Sequence, residues 1–163
     1  ILTLVLSLSM VPIIHSQTIK GNLAIKNVAT GKLLRPEGAN KADMTSIVLY
    51  TPTNWKCLTW QFLPMGEETY QLRNLFTLKT FQGAEVAEGN IQLKQMPLQM
   101  NDPSQSWTFE KVDDGIYRIR LKNSQLYITP AESSGRINTP VILTSKTDAD
   151  LQLWSVYEQD PTH

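Results

Sequence analysis

The sequence predicts an all-β domain made of three copies of one four-strand unit, and three observations predict it. Trp60, Trp107 and Trp154 follow one another at intervals of 47 residues. Each has apolar or small residues before it ("CLTWQF", "SQSWTF", "LQLWSV") and a large apolar residue two positions later, Phe62, Phe109 and Val156. Tyr70 and Tyr117 stand ten residues beyond the first two tryptophans and open alternating runs, and one period before Tyr70 lies Leu23, which opens "LAIKN". Recurrence at such a period marks a fold assembled from one supersecondary unit that cannot bury its apolar face alone.

Within each unit the elements return in the same order. A strand with period-2 alternation comes first: Leu23 and Ile25, then Tyr70 and Leu72, then Tyr117, Ile119 and Leu121. A turn rich in Asn or Gly follows ("NVATGK", "RNLF", "KNSQ"), then a second short strand ("KLL", "FTL", "LYI"). A polar loop leads to a third strand ("SIVLY", "NIQLK", "PVILT"), and a second loop leads to the Trp strand. No stretch carries a convincing helical period. A propeller needs at least about four blades to close, whereas three four-strand units close as a β-trefoil, half of the strands in a barrel and half in a cap of hairpins.

Of the 163 residues, 41% are hydrophobic and 18% charged, the balance of an ordinary globular domain. Fifteen basic residues offset fifteen acidic ones, so no global field steers the chain onto nucleic acid or an anionic membrane, and partners must be recognised locally. The run "ILTLVLSLSMVPIIHS", residues 1–16, has no acidic residue and reads as the apolar region and cleavage site of a secretory signal peptide that lacks its initiator Met and basic start. Pro12 and a length short of the roughly 20 residues of a bilayer span argue against a membrane anchor. The expected organisation is a leader over 1–16 and a single secreted trefoil over 17–163, with repeats at about 20–66, 67–113 and 114–163. Cys57 is the one cysteine, which precludes an internal disulfide and reads as a small buried hydrophobe.

The segments "QSW" and "QLW", with "LTW" in the first unit, resemble the Gln-x-Trp repeat of ricin B-type β-trefoil lectins, over roughly residue 20 to the C-terminus. The resemblance implies that the three Trp are core residues and that the Gln hydrogen-bonds to turn backbone. An indole buried at three equivalent places agrees physically, each removing about 150 to 250 Å² from water. The resemblance also implies a shallow sugar groove in each unit. It would be built from an Asp after the second strand, an aromatic at the end of the third, and an Asn and Gln just before the Trp.

Placed on that pattern, the first unit has Arg35 at the Asp position, Tyr50 at the aromatic position and Cys57 at the amide position. The second unit has Lys79, Lys94 and Ser104 there, with Gln92 two before Lys94. The third has Thr129, Thr144 and Leu151. No unit keeps the full set. Arg35 and Tyr50, with Asn54 and Trp55 on the following loop, are the first candidate site, a ring and a cation suited to a sugar bearing carboxylate or sulfate, or to a peptide. Lys79, Gln92 and Lys94 are a second, basic candidate for an anionic glycan, against the alternative of a strand edge protected by lysines. Trp55, outside the 47-residue register, is either a ligand platform or a lid over the bottom of the barrel.

Catalysis is not expected. The only histidines are His15 and His163, which removes Ser-His-Asp and Cys-His schemes and His-based metal sites from the interior of the domain. Glu67 with Glu68, Asp113 with Asp114, and Asp148 with Asp150 all fall beside turns, where solvated charge is the default, and "DAD" falls well short of the six to eight oxygens of a Ca²⁺ site. The expected partners are a glycan, acidic or neutral, or an exported protein, with no cofactor and no metal.

Overall fold

The structure, a computed structural model, describes residues 9–12 and 18–163. The leader expected over residues 1–16 therefore lies outside the described residues except for 9–12, and His15 lies outside them as well. Among the described residues twelve strands form in chain order. The first unit holds β1 (Gly21–Asn27), β2 (Leu33–Pro36), β3 (Ile47–Tyr50) and β4 (Trp60–Pro64). The second holds β5 (Thr69–Asn74), β6 (Thr80–Ala87), β7 (Asn90–Met96) and β8 (Trp107–Asp113), and the third β9 (Ile116–Leu121), β10 (Leu126–Pro130), β11 (Val141–Ser145) and β12 (Trp154–Glu158).

The first and fourth strands of each unit close a barrel. β1 pairs with β4, β4 with β5, β5 with β8, β8 with β9, β9 with β12, and β12 returns to β1, all antiparallel. The second and third strands form three hairpins, β2–β3, β6–β7 and β10–β11, which cap the barrel. Closure leaves the barrel no free edge. This is the β-trefoil expected from the repeat. Among the described residues no helix is long and apolar enough to cross a membrane.

The alternation that predicted the strands is the alternation of burial. Ile25, Leu72 and Ile119, one period apart, are wholly buried, and so are Leu34, Phe81 and Ile128 on the hairpins. Trp60, Trp107 and Trp154 are fully buried in the same core, as expected. Trp60 Nε1 donates to Leu34 O at 3.1 Å and Trp154 Nε1 to Ile128 O at 3.0 Å, tying each barrel strand to its hairpin. The Nε1 of Trp107, which faces the equivalent place, has no partner. At the opposite end Tyr70 Oη accepts from Ile19 N at 2.8 Å, anchoring the incoming chain across the barrel mouth.

Two strand assignments in the second unit need correction. "FTL" (76–78) lies in the β5–β6 turn, with Leu78 at φ 61°, and β6 begins at Thr80. The third strand runs past Lys94 to Met96. The reason is visible one period earlier, where Gly31 holds the same left-handed turn position at φ 70°. A leucine in that place hides the turn from a reading based on glycine.

Candidate functional site

Cross-strand pairing fixes which residues are equivalent in the three units. Leu34 pairs with Leu49, Phe81 with Gln95 and Ile128 with Leu143. The equivalents of Arg35 are therefore Gln82 and Thr129, and those of Tyr50 are Met96 and Thr144. In the third unit the hairpin register thus sets Thr129 and Thr144 level with Arg35 and Tyr50. In the second, Lys79 and Lys94 are displaced by Gln82 and Met96, because β6 begins later and β7 ends later than the alternation suggested.

The Gln two positions before the Trp explains how units two and three are built. Gln152 Oε1 accepts from Thr147 N at 2.8 Å, while its Nε2 donates to Ser145 O at 3.0 Å and to Thr129 Oγ1 at 3.0 Å. Gln105 repeats this with Gln99 N at 2.9 Å, Pro97 O at 3.0 Å and Gln82 Oε1 at 3.0 Å. Each amide thus closes the loop after the third strand and satisfies the residue at Arg35's place. Both positions are occupied by ordinary internal hydrogen bonds.

The first unit is built differently. Its residue two positions before the Trp is Leu58, fully buried in a small cluster with Ala24, Leu33 and Cys57. With no amide available, Arg35 folds inward to 8% exposure and sets its guanidinium over the Tyr50 ring, Cζ 3.4 Å from the centroid. Trp55 stands beside the same ring at 6.2 Å and 28°. Arg35 Nε is buried without a hydrogen-bond partner, and Arg35 takes part in none of the five ion pairs among the described residues.

Outside this group opens a cleft of about 150 Å³ lined by Ala39, Trp55, Cys57, Phe76 and His163. Trp55 and Phe76 remain 40% and 39% exposed, large apolar rings presented to solvent across an apolar floor. Cys57 forms part of that floor, and burial pushes its thiol pKa up despite the opposing charge and hydrogen bonding of Arg35. Lys41 Nζ lies 4.5 Å over the Phe76 ring at the rim. Asn54, exposed on the Trp55 loop, donates to Asp160 O at 3.3 Å, which leaves its carbonyl oxygen free to accept.

The wall that carries Ala39 and Lys41 is held from the second unit. Gln95 Nε2 donates to Asn40 O at 2.9 Å and Ala42 O at 2.8 Å, and Lys79 Nζ donates to Lys41 O at 2.6 Å and pairs with Asp43. Bonds of this kind set the wall's position before any ligand arrives, which lowers the ordering cost of binding.

Arg35, Tyr50, Asn54 and Trp55 are thus brought together. Lys79, Gln92 and Lys94 are not. Thr80, next to Lys79, pairs with Met96, while Gln92 pairs with Ala84 four residues further along the ladder, a separation of about 13 Å at 3.3 Å per residue. Lys94 Nζ donates to Ser46 Oγ at 2.8 Å. The basic candidates are spread along a hairpin and engaged, and this correction leaves one grouped site. Sequence reasoning missed Phe76, which it placed on a strand, and His163, which it set aside as terminal; exposure of a large aromatic in a turn was the available signal for Phe76. Trp55 faces this cleft, not the barrel mouth, whose small cavity is lined by Ile19, Glu68, Tyr70, Phe109, Lys111, Asp114 and Tyr117.

Solved structures share this architecture. A designed threefold-symmetric protein, ThreeFoil, superposes with a TM-score of 0.78 at 19% identity, covering 84% of this chain and 98% of its own. A ricin B-like lectin from Macrolepiota procera, solved with lactose, gives 0.71 at 18%, covering 87% and 98%. An exo-β-1,3-galactanase from Clostridium thermocellum gives 0.75 at 18%, with 83% of this chain matching 29% of the enzyme. No protein-family profile and no curated protein sequence matches the chain. The chain has the β-trefoil fold of the ricin B-like lectins, and at these identities the likeness concerns the fold.

Proposed function

We propose that this chain is an exported, non-enzymatic, lectin-like domain that binds carbohydrate at the first-unit cleft, while the other two grooves serve the fold. The observation that carries it is the pair of exposed rings, Trp55 and Phe76, on a preset cleft beside Arg35 and Tyr50. A pyranose presents an apolar face of C–H groups that stacks on an aromatic ring, and its hydroxyls need neighbouring donors and acceptors such as the Asn54 carbonyl. The trefoil of the Macrolepiota lectin, solved with lactose, supports the reading at the level of fold. The apolar run over residues 1–16 supports export.

Calorimetric or NMR titration of the full chain against a panel of neutral and acidic saccharides tests this. Saturable binding at millimolar concentration or better, lost in Trp55→Ala and kept in Gln92→Ala on the second-unit hairpin, is the expected result. An absence of binding to every saccharide at that concentration removes the proposal.

A second reading is a polypeptide-binding or inhibitory trefoil that has lost sugar binding. It is favoured by the apolar floor and by Arg35, Gln82 and Thr129 standing where the lectin pattern has a carboxylate. A stoichiometric exported protein partner that competing sugars do not displace would select it.

A further inference from the structure

We infer that Arg35 makes the first-unit site selective for an anionic saccharide, one carrying a carboxylate or a sulfate ester, and excludes neutral sugars as good ligands. This rests on the reading of the cleft as a carbohydrate site. In units two and three the residue at this place is neutral and hydrogen-bonded to the Gln before the Trp: Gln82 to Gln105 and Thr129 to Gln152, each at 3.0 Å. In unit one both members differ together, the Gln becoming Leu58 and its partner becoming Arg35, so a permanent cation replaces a neutral group just where its acceptor has been removed.

A guanidinium that is about nine-tenths buried, with an orphaned Nε and no carboxylate partner, is costly to keep. Stacking over Tyr50 offsets part of that cost. It occupies the face of the guanidinium and leaves the N–H donors, which all lie in its plane, directed along the edge. The neighbour at that edge is Cys57, a floor residue of the cleft whose thiol stays neutral because burial holds its pKa up. No charge among the described residues neutralises Arg35, and the neighbouring cleft is open, so an anionic oxygen brought by a ligand supplies what the fold omits. A carboxylate and a sulfate both match the planar donor fork. The sugar body then covers Trp55.

The full chain is titrated by calorimetry with two matched sets, galactose, galacturonate and galactose 6-sulfate, and glucose, glucuronate and glucose 6-sulfate, with inorganic sulfate alongside. The acidic member of at least one set is expected to bind about tenfold or more tighter than its neutral parent, the scale of one charge-assisted hydrogen-bond pair. Carboxylate and sulfate arms separate the two anion sources. Arg35→Met is expected to abolish the preference and Arg35→Lys to weaken it, with circular dichroism and Tm reporting the fold. Should Arg35→Met fail to fold, the acid-to-neutral ratio of the unmodified chain decides alone. Equal binding of acidic and neutral members, or a preference surviving in Arg35→Met, overturns the inference and leaves the carbohydrate site standing. Inorganic sulfate binding as tightly as the best sugar removes the saccharide from the inference. No binding by any member defeats both this inference and the reading beneath it.

Discussion

Arg35 Cζ lies 3.4 Å from the centroid of the Tyr50 ring, so the ring and the cation of the candidate site stack on each other, with Arg35 buried and Tyr50 half-buried. The ring offered to a ligand is Trp55, one step further out. Replacing a buried, unneutralised cation by an apolar side chain of similar length is neutral to stabilising, by up to a few kcal/mol, because the desolvation cost disappears with the charge. Arg35→Met in the ligand-free chain is therefore expected to leave the unfolding free energy unchanged or to raise it by about 1–2 kcal/mol, less the roughly 0.5–2 kcal/mol of lost ring contact. Urea denaturation measures it. A loss above about 2 kcal/mol would assign Arg35 a structural role instead.

The three core tryptophans are not energetically equal. Trp60 and Trp154 each satisfy a hairpin carbonyl, whereas the Trp107 Nε1 is buried without an acceptor. Trp→Phe at either satisfied position creates a void and strands a carbonyl at about 1–3 kcal/mol, whereas at Trp107 the same change removes an unsatisfied donor. We expect Trp107→Phe to be less destabilising than Trp60→Phe or Trp154→Phe by about 1–3 kcal/mol in chemical denaturation. Equal losses at all three would contradict it.

Leu78 sits 62% exposed at φ 61°, in the turn position that Gly31 holds in the first unit. A non-glycine residue pays about 1–2 kcal/mol for that conformation, and glycine returns roughly 0.5–1 kcal/mol of it as unfolded-state entropy. Leu78→Gly is expected to stabilise the chain by about 0.5–1 kcal/mol, a rise of a few degrees in Tm for a domain of this size. A lowered Tm would show that the leucine packs where its exposure says it does not.

Cys57 titrates above its usual 9.0, and Tyr117, Tyr127 and Tyr157 above their usual 10.0, in each case chiefly because burial disfavours the charged form. Groups that hold their proton more tightly in the folded chain than in the unfolded one give stability that is fully present below the unfolded value. It is lost as pH rises through the folded one. Unfolding free energy should accordingly not vary with pH through these groups near neutrality, where their contribution is fully present, and should decline above about pH 9. Alkylation of Cys57 by iodoacetamide in the folded chain should have a midpoint above that of the unfolded chain. A midpoint below 9.0 would reverse the assignment.

The 47-residue recurrence of tryptophan and the period-2 runs after it were enough to specify a three-unit, all-β closed fold, because burial of one face in every unit imposes the same pattern three times. Arg35, Tyr50, Asn54 and Trp55 were also legible, since they lie within one unit where strand and loop positions could be counted directly. The errors fell in the second unit, where Leu78 occupies a glycine position and erased the turn signal that would have set β6 in register. What only the tertiary structure decided is the use of those residues. Whether Arg35 reaches over a groove or folds beneath Tyr50 depends on Leu58 removing its acceptor, and the cleft needs Phe76, Gln95 and Lys79 from the neighbouring unit. Local pattern fixes which face of a strand is buried; which side chains meet across units follows from barrel closure, a contact at long sequence separation that no local period records.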